Sequence, residues 1–141
     1  MLLSARSSIA LLALVFSLAA APPAMAQSAA RPALAAVTND AAGVRVVVKP
    51  TAVAAGAAWE FEIVMDTHTK PLDDDLTKTA VLVDGEGRRY TPLAWQGDKP
   101  GGHHRKGILR FPAPPEQVKS FELQIQGLGT AGKRVFQWTM K

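Results

Sequence analysis

The chain has no cysteine in its 141 residues, and that single absence removes several chemistries. A disulfide framework, c-type haem attachment, an iron–sulfur cluster, a thiolate zinc site and a cysteine nucleophile are all excluded within this chain. Serine is nearly as scarce past residue 26, where only Ser28 and Ser120 remain. A Ser-His-Asp triad therefore has little to build on, and no feature marks Thr67 or Thr69 as an activated nucleophile. Tyr90 is the one tyrosine, and no aromatic cluster stands near the acidic residues, so the walled sugar cleft of a carboxylate-pair glycosidase is not expected. Neither a P-loop nor a G-x-G-x-x-G run is present. The net charge is +4, but the basic residues fall in isolated pairs such as Arg88-Arg89, Arg105-Lys106 and Lys133-Arg134. Scattered pairs suit a solvated surface and give no footprint for nucleic acid.

Long apolar runs are also missing, with one exception at the start. Residues 1–8 carry a single charge, Arg6, and residues 9–21 are apolar apart from Ser17. Pro22-Pro23 interrupts the run and Ala24-Met25-Ala26 supplies a small-x-small cleavage pattern. This is the layout of a secretory signal peptide, and the run falls short of the roughly 20 apolar residues that a membrane span needs. The expectation is a signal peptide over residues 1–26 and a periplasmic or secreted product beginning at Gln27. That product has no transmembrane anchor and, lacking cysteine, no site for a lipid. Removal of Arg6 with the leader brings the net charge from +4 to +3.

Residues 27–42 are rich in alanine and read as a flexible lead-in; residues 43–141 read as the folded domain. Segments 44–49 and 59–66 alternate apolar and polar residues, and Pro50 ends the first of them. Segment 79–83 is a short apolar run that reads as a strand buried on both sides. Asp84-Gly85-Glu86-Gly87 forms a turn, and 88–95 reads as the returning strand, with Pro92 placing it at an edge. Segments 107–111, 121–126 and 135–140 complete the set. About seven strands with no amphipathic helix predict an all-β fold, an immunoglobulin-like antiparallel sandwich, with a small open barrel as the competing architecture. Trp59, Trp138, Met65 and Met140 fall on inward faces. Trp95 either walls a loop cluster or caps the core, and Arg88-Arg89 and Lys133-Arg134 read as solvated strand ends.

The residues with most chemistry in them are His68, His103 and His104, the only histidines, together with Asp66 and the triplet Asp73-Asp74-Asp75. If successive strands run in opposite directions, successive loops alternate between the two ends of the sandwich. Loops 67–78, 96–106 and 127–134 then share one pole, which collects every histidine and the aspartate triplet, while Ser120 lies at the other. Imidazole and carboxylate are the metal ligands left when cysteine is absent, and they suit zinc, copper(II) or nickel. His103 and His104 would point to opposite sides of an extended chain, so the expected set is His68, one of the pair, and Asp66 or an aspartate of the triplet. No spacing motif such as H-E-x-x-H supports it. The competing reading is structural. Asp66 would accept backbone N–H groups in an Asx turn, the triplet would cap a helical turn through Leu76, and histidine–aspartate hydrogen bonds would pin the loops.

The order F-E-I-V-M-D-T-H, L-D-D-D-L, W-Q-G and G-G-H-H-R-K-G-I-L-R-F, spanning residues 61–111, resembles a pattern in small, uncharacterised exported bacterial proteins. The resemblance implies an immunoglobulin-like sandwich and carries over no activity and no functional residue. The resulting expectation is an exported binding domain whose His/Asp pole takes a divalent transition metal, zinc or copper being the candidates. Metal binding would weaken as pH falls below the ordinary imidazole range, roughly 6.5. Two alternatives stand beside it: an interaction or structural module that meets another protein of the cell envelope, and a metal-dependent enzyme.

Overall fold

The computed structural model describes residues 33–141. The expected signal peptide and the first part of the lead-in lie outside the described residues. The fold is all-β, built from two antiparallel sheets stacked as a sandwich. In chain order the elements are β1 (Val37–Ala41), β2 (Val44–Ala52), β3 (Trp59–Thr67), α1 (Leu76–Thr79), β4 (Ala80–Asp84), β5 (Arg89–Tyr90), β6 (Ala94–Gly97), β7 (His104–Phe111), β8 (Ser120–Gln126) and β9 (Lys133–Thr139). One sheet has the order β1-β2-β3-β7-β6 and the other β5-β4-β8-β9.

Period-2 patterning explains the interior. Val44, Val46 and Val48 of β2 and Trp59, Phe61, Ile63 and Met65 of β3 are buried, while the residues between them face outward or lie half-covered. Leu123, Ile125, Phe136 and Trp138 answer them from the second sheet. An aromatic group joins the two layers: Phe61 meets Phe121 and Trp138 at ring-centroid distances of 6.0 and 5.9 Å, and Trp59 meets Phe121 edge-on at 4.8 Å.

Among the described residues the strands number nine rather than seven, for two physical reasons. First, β1 lies inside the stretch expected to be a flexible lead-in. Ala42 and Gly43 both have positive φ, 50° and 75°, so a two-residue turn folds β1 back on β2 with Ala41 opposite Val44. Second, the segment read as one returning strand is two. β5 pairs with β4, the chain changes layers across Thr91, Pro92 and Leu93, and β6 then pairs with β7. Two further corrections are local. β2 runs through Pro50 to Ala52 with a shift in its pairing, and β4 is buried on one face with the other only half-covered. Among the described residues, no helix is long and apolar enough to cross a membrane.

Candidate functional site

The loops expected to share a pole are hydrogen-bonded to one another. Thr67 N–H donates to the His103 carbonyl at 2.9 Å, Leu72 N–H to Gly102 at 2.9 Å, and Gly101 N–H to Leu72 at 2.9 Å. Asp74 Oδ2 accepts from Leu128 N–H at 3.2 Å, which brings in the β8–β9 turn. The missed strands leave this arrangement intact. β1 precedes every loop involved, and the split of β5 from β6 carries the chain onward without reversing which end it reaches.

Within that pole the seven candidate residues separate into two groups. Two of the three aspartates of the triplet, Asp74 and Asp75, are engaged in structure, while Asp73 is exposed. Asp75 caps α1, accepting from Thr77 N–H at 3.0 Å and the Thr77 hydroxyl at 2.6 Å, and these bonds hold its carboxyl below the usual range. Asp74 supports the β8–β9 turn, and Asp73 lies beside Gly101. Beneath them Arg105, 1 % exposed, donates from Nη1 to the carbonyls of Asp74 and Leu72 at 2.7 and 3.1 Å, its guanidinium 5.2 Å from the centre of the Trp95 ring. Burial pushes the Arg105 guanidinium below its usual pKa, and the surrounding aspartates, Asp75 and Asp74 first, oppose that shift. Trp95 therefore does both of the things expected of it as alternatives: it packs against the core and walls the loop cluster, its indole N–H donating to the Asp98 carbonyl at 2.8 Å.

The second group lines an open cleft of about 660 Å³, formed by Asp40, Gly43, Arg45, Asp66, Thr67, His68, His103 and His104. Asp73, Asp74 and Asp75 do not line it. Strand register builds its floor. Asp40 stands opposite Arg45, Arg45 opposite Asp66, and Asp66 opposite His104, so a row of alternating charge crosses four strands and ends on an imidazole. Two carboxylates against one guanidinium leave the row at a formal charge of −1 when the imidazoles are neutral. His104 belongs to β7 rather than to a loop, and its Nδ1 is in hydrogen-bond contact with Asp66 Oδ1. The Asx turn expected of Asp66 is made instead by its neighbour: the Thr67 hydroxyl accepts from Thr69 N–H at 3.2 Å and Lys70 N–H at 3.4 Å, which leaves the Asp66 carboxylate for the cleft. His103 and His104 both line the cleft, although an extended chain would send them apart. The bend at Gly102 and His103 supplies the difference, following Gly101 and Gly102 at φ 110° and 71°.

Among the described residues, no three His, Cys, Asp or Glu side chains are gathered tightly enough to hold a metal ion as they stand. The three imidazoles are exposed, so their rotamers can change without disturbing the core. A second hollow, of about 470 Å³, lies over the other sheet beside Asp84, Ser120, Glu122 and Gln137. Its buried carboxylate, Asp84, is fully engaged, accepting from Glu86 N–H, Arg88 N–H, Arg88 Nε and the Tyr90 hydroxyl at 2.8–3.0 Å.

Sequence reasoning missed Asp40, which enters the cleft only because β1 exists, and Arg45, which β2 sets opposite Asp66, and it placed Arg134 in solvent. Arg134 is 3 % exposed and ties β1 to β9. Its guanidinium donates to Asn39 Oδ1 and to the carbonyls of Val44, Ala41 and Leu128 at 2.6–3.0 Å. Comparison of the chain with protein-family models, with curated proteins and with solved structures found no match.

Proposed function

We propose that this chain is an exported binding domain, periplasmic or secreted, whose cleft at the histidine pole takes a divalent transition metal. One observation carries the reading: His68, His103, His104 and Asp66 line a single open cleft that also holds Asp40 and Arg45. With neutral imidazoles its formal charge is −1, which favours a cation over an anion as its ligand. Imidazole nitrogens with a carboxylate alongside are the donor set that zinc and copper(II) accept. Binding would require the exposed imidazoles of His68 and His103 to rotate toward His104, so the site closes on binding and is not preformed. An interaction module would use the same pole without needing its histidines.

Calorimetric titration of the purified protein with zinc and with copper(II) tests the proposal, beside a triple variant His68→Ala, His103→Ala, His104→Ala. Saturable heat is expected from the unaltered protein and its loss from the variant. Equal heats from both proteins, or none from either, would overturn the metal reading.

A further inference from the structure

Asp66 and His104 face each other across β3 and β7, directly opposite in the ladder, with both side chains on the outer face of the sheet. Their contact runs from His104 Nδ1 to Asp66 Oδ1. An ionised carboxylate only accepts hydrogen bonds, so Nδ1 carries the proton, and in a neutral imidazole the lone pair then lies on Nε2. Backbone pairing fixes the contact, because the ladder and not a loop sets the distance between the two residues. His68 and His103 have no such partner: among the described residues their imidazoles make no side-chain hydrogen bond, although both border the same cleft.

We infer that Asp66 is a positioning residue and not a ligand. In this view it fixes the tautomer and direction of His104, Nε2 of His104 is the anchor on which a metal first lands, and His68 and His103 close over it. The inference rests on the metal reading above and deepens it. The donor set becomes all imidazole, which selects zinc or copper(II) and rejects calcium and magnesium, hard cations that take oxygen ligands. A histidine ligand whose second nitrogen is held by a carboxylate is the usual arrangement in metal sites, and loss of that carboxylate weakens binding by about 10–100-fold.

The test combines titration with nitrogen NMR of the histidine side chains in the metal-free protein. The unaltered protein should show His104 with its proton on Nδ1. It should bind zinc and give no heat with calcium or magnesium. Asp66→Asn should bind zinc about 10–100-fold more weakly and show a mixture of His104 tautomers. His104→Ala should lose more affinity than Asp66→Asn. Unchanged zinc affinity in Asp66→Asn would overturn the inference while leaving the metal reading intact. Loss in Asp66→Asn as complete as in His104→Ala would make Asp66 a ligand and overturn it as well. If the unaltered protein binds neither zinc nor copper, the metal reading fails. The NMR measurement then still decides the role of Asp66, and a proton on Nε2 of His104 would refute it.

Discussion

Arg105 and Arg134 carry full charges at positions as buried as the valines of the core, and neither has a carboxylate as a hydrogen-bond partner. Each donates chiefly to backbone carbonyls, Arg105 to those of Leu72, Asp74 and Asp98 and Arg134 to those of Ala41, Val44 and Leu128, while Arg134 Nε stays buried without a partner among the described residues. For Arg134, burial lowers the guanidinium pKa and the charge of Asp40 works against that. Replacing Arg134 by methionine keeps the stem and strips the donors from four acceptors at once. Each buried acceptor left unpaired costs about 1–3 kcal/mol, so Arg134→Met is expected to lose roughly 3 kcal/mol or more of stability. A urea unfolding curve unchanged from that of the unaltered protein would contradict this. The placement was legible in part. Arg134 shares parity with Phe136 and Trp138, and Arg105 with Leu109 and Phe111. The segments 107–111 and 135–140 begin past both arginines, so the alternation that would have turned them inward was not extended to them.

At the scale of elements, the β4–β5 hairpin depends on one side chain. Burial alone would raise the Asp84 carboxyl, but hydrogen bonds from Arg88, Tyr90 and Glu86 outweigh it and hold the group below its usual 3.8. A carboxyl lowered in the folded state contributes stability above its unfolded pKa, about 3.9, and that contribution disappears as pH falls through the lower folded value. Asp84→Asn should therefore be less stable than the unaltered protein at pH 7, by on the order of 2 kcal/mol. Its stability should fall less steeply between about pH 4 and pH 2. Parallel slopes in urea titrations across that range would refute the assignment. Other elements were harder to foresee. The two-residue turn before β2 uses Ala42 and Gly43 in place of the Asn-Gly pair that advertises such a turn, so β1 passed for a loose lead-in. The helical turn after Asp75 was foreseen as one alternative, because a cap is a local signal. The change of layer at Pro92 was not, because it depends on which sheet each half of the segment meets. β6 then approaches β7 closely at the facing pair Gly97 and Gly107, where a Cβ on Gly107 would come within 2.6 Å of the Trp95 ring.

At the scale of the whole molecule, alternation revealed the two-layer fold and loop parity revealed which loops converge. Neither could say which converging residues would be consumed in holding the loops and which would stay available. That division depends on hydrogen bonds between segments far apart in sequence: Thr67, not Asp66, makes the turn, and Asp74 reaches Leu128 across 54 positions. The domain is also larger than its patterned part, because β1 lies beside β9 and supplies partners to the second sheet. Asn39 binds Arg134, and Ala35 accepts the Trp138 indole N–H at 2.7 Å. A chain beginning at Gly43 should be less stable than one beginning at Ala33 by about 3 kcal/mol or more, counting three lost hydrogen bonds, two of them from the Arg134 guanidinium, together with the β1 ladder. Coincident unfolding curves for the two would show β1 to be dispensable.

The pairing of Asp66 with His104 joins residues 38 positions apart. A slip of one residue in that ladder would turn His104 into the core and bring Arg105 to the surface. The cleft therefore exists in only one alignment of β3 and β7. A ligand that needs both side chains is consequently a gauge of completed folding: it distinguishes the native chain from any compact but misaligned state, and by binding the native chain alone it draws the population toward it.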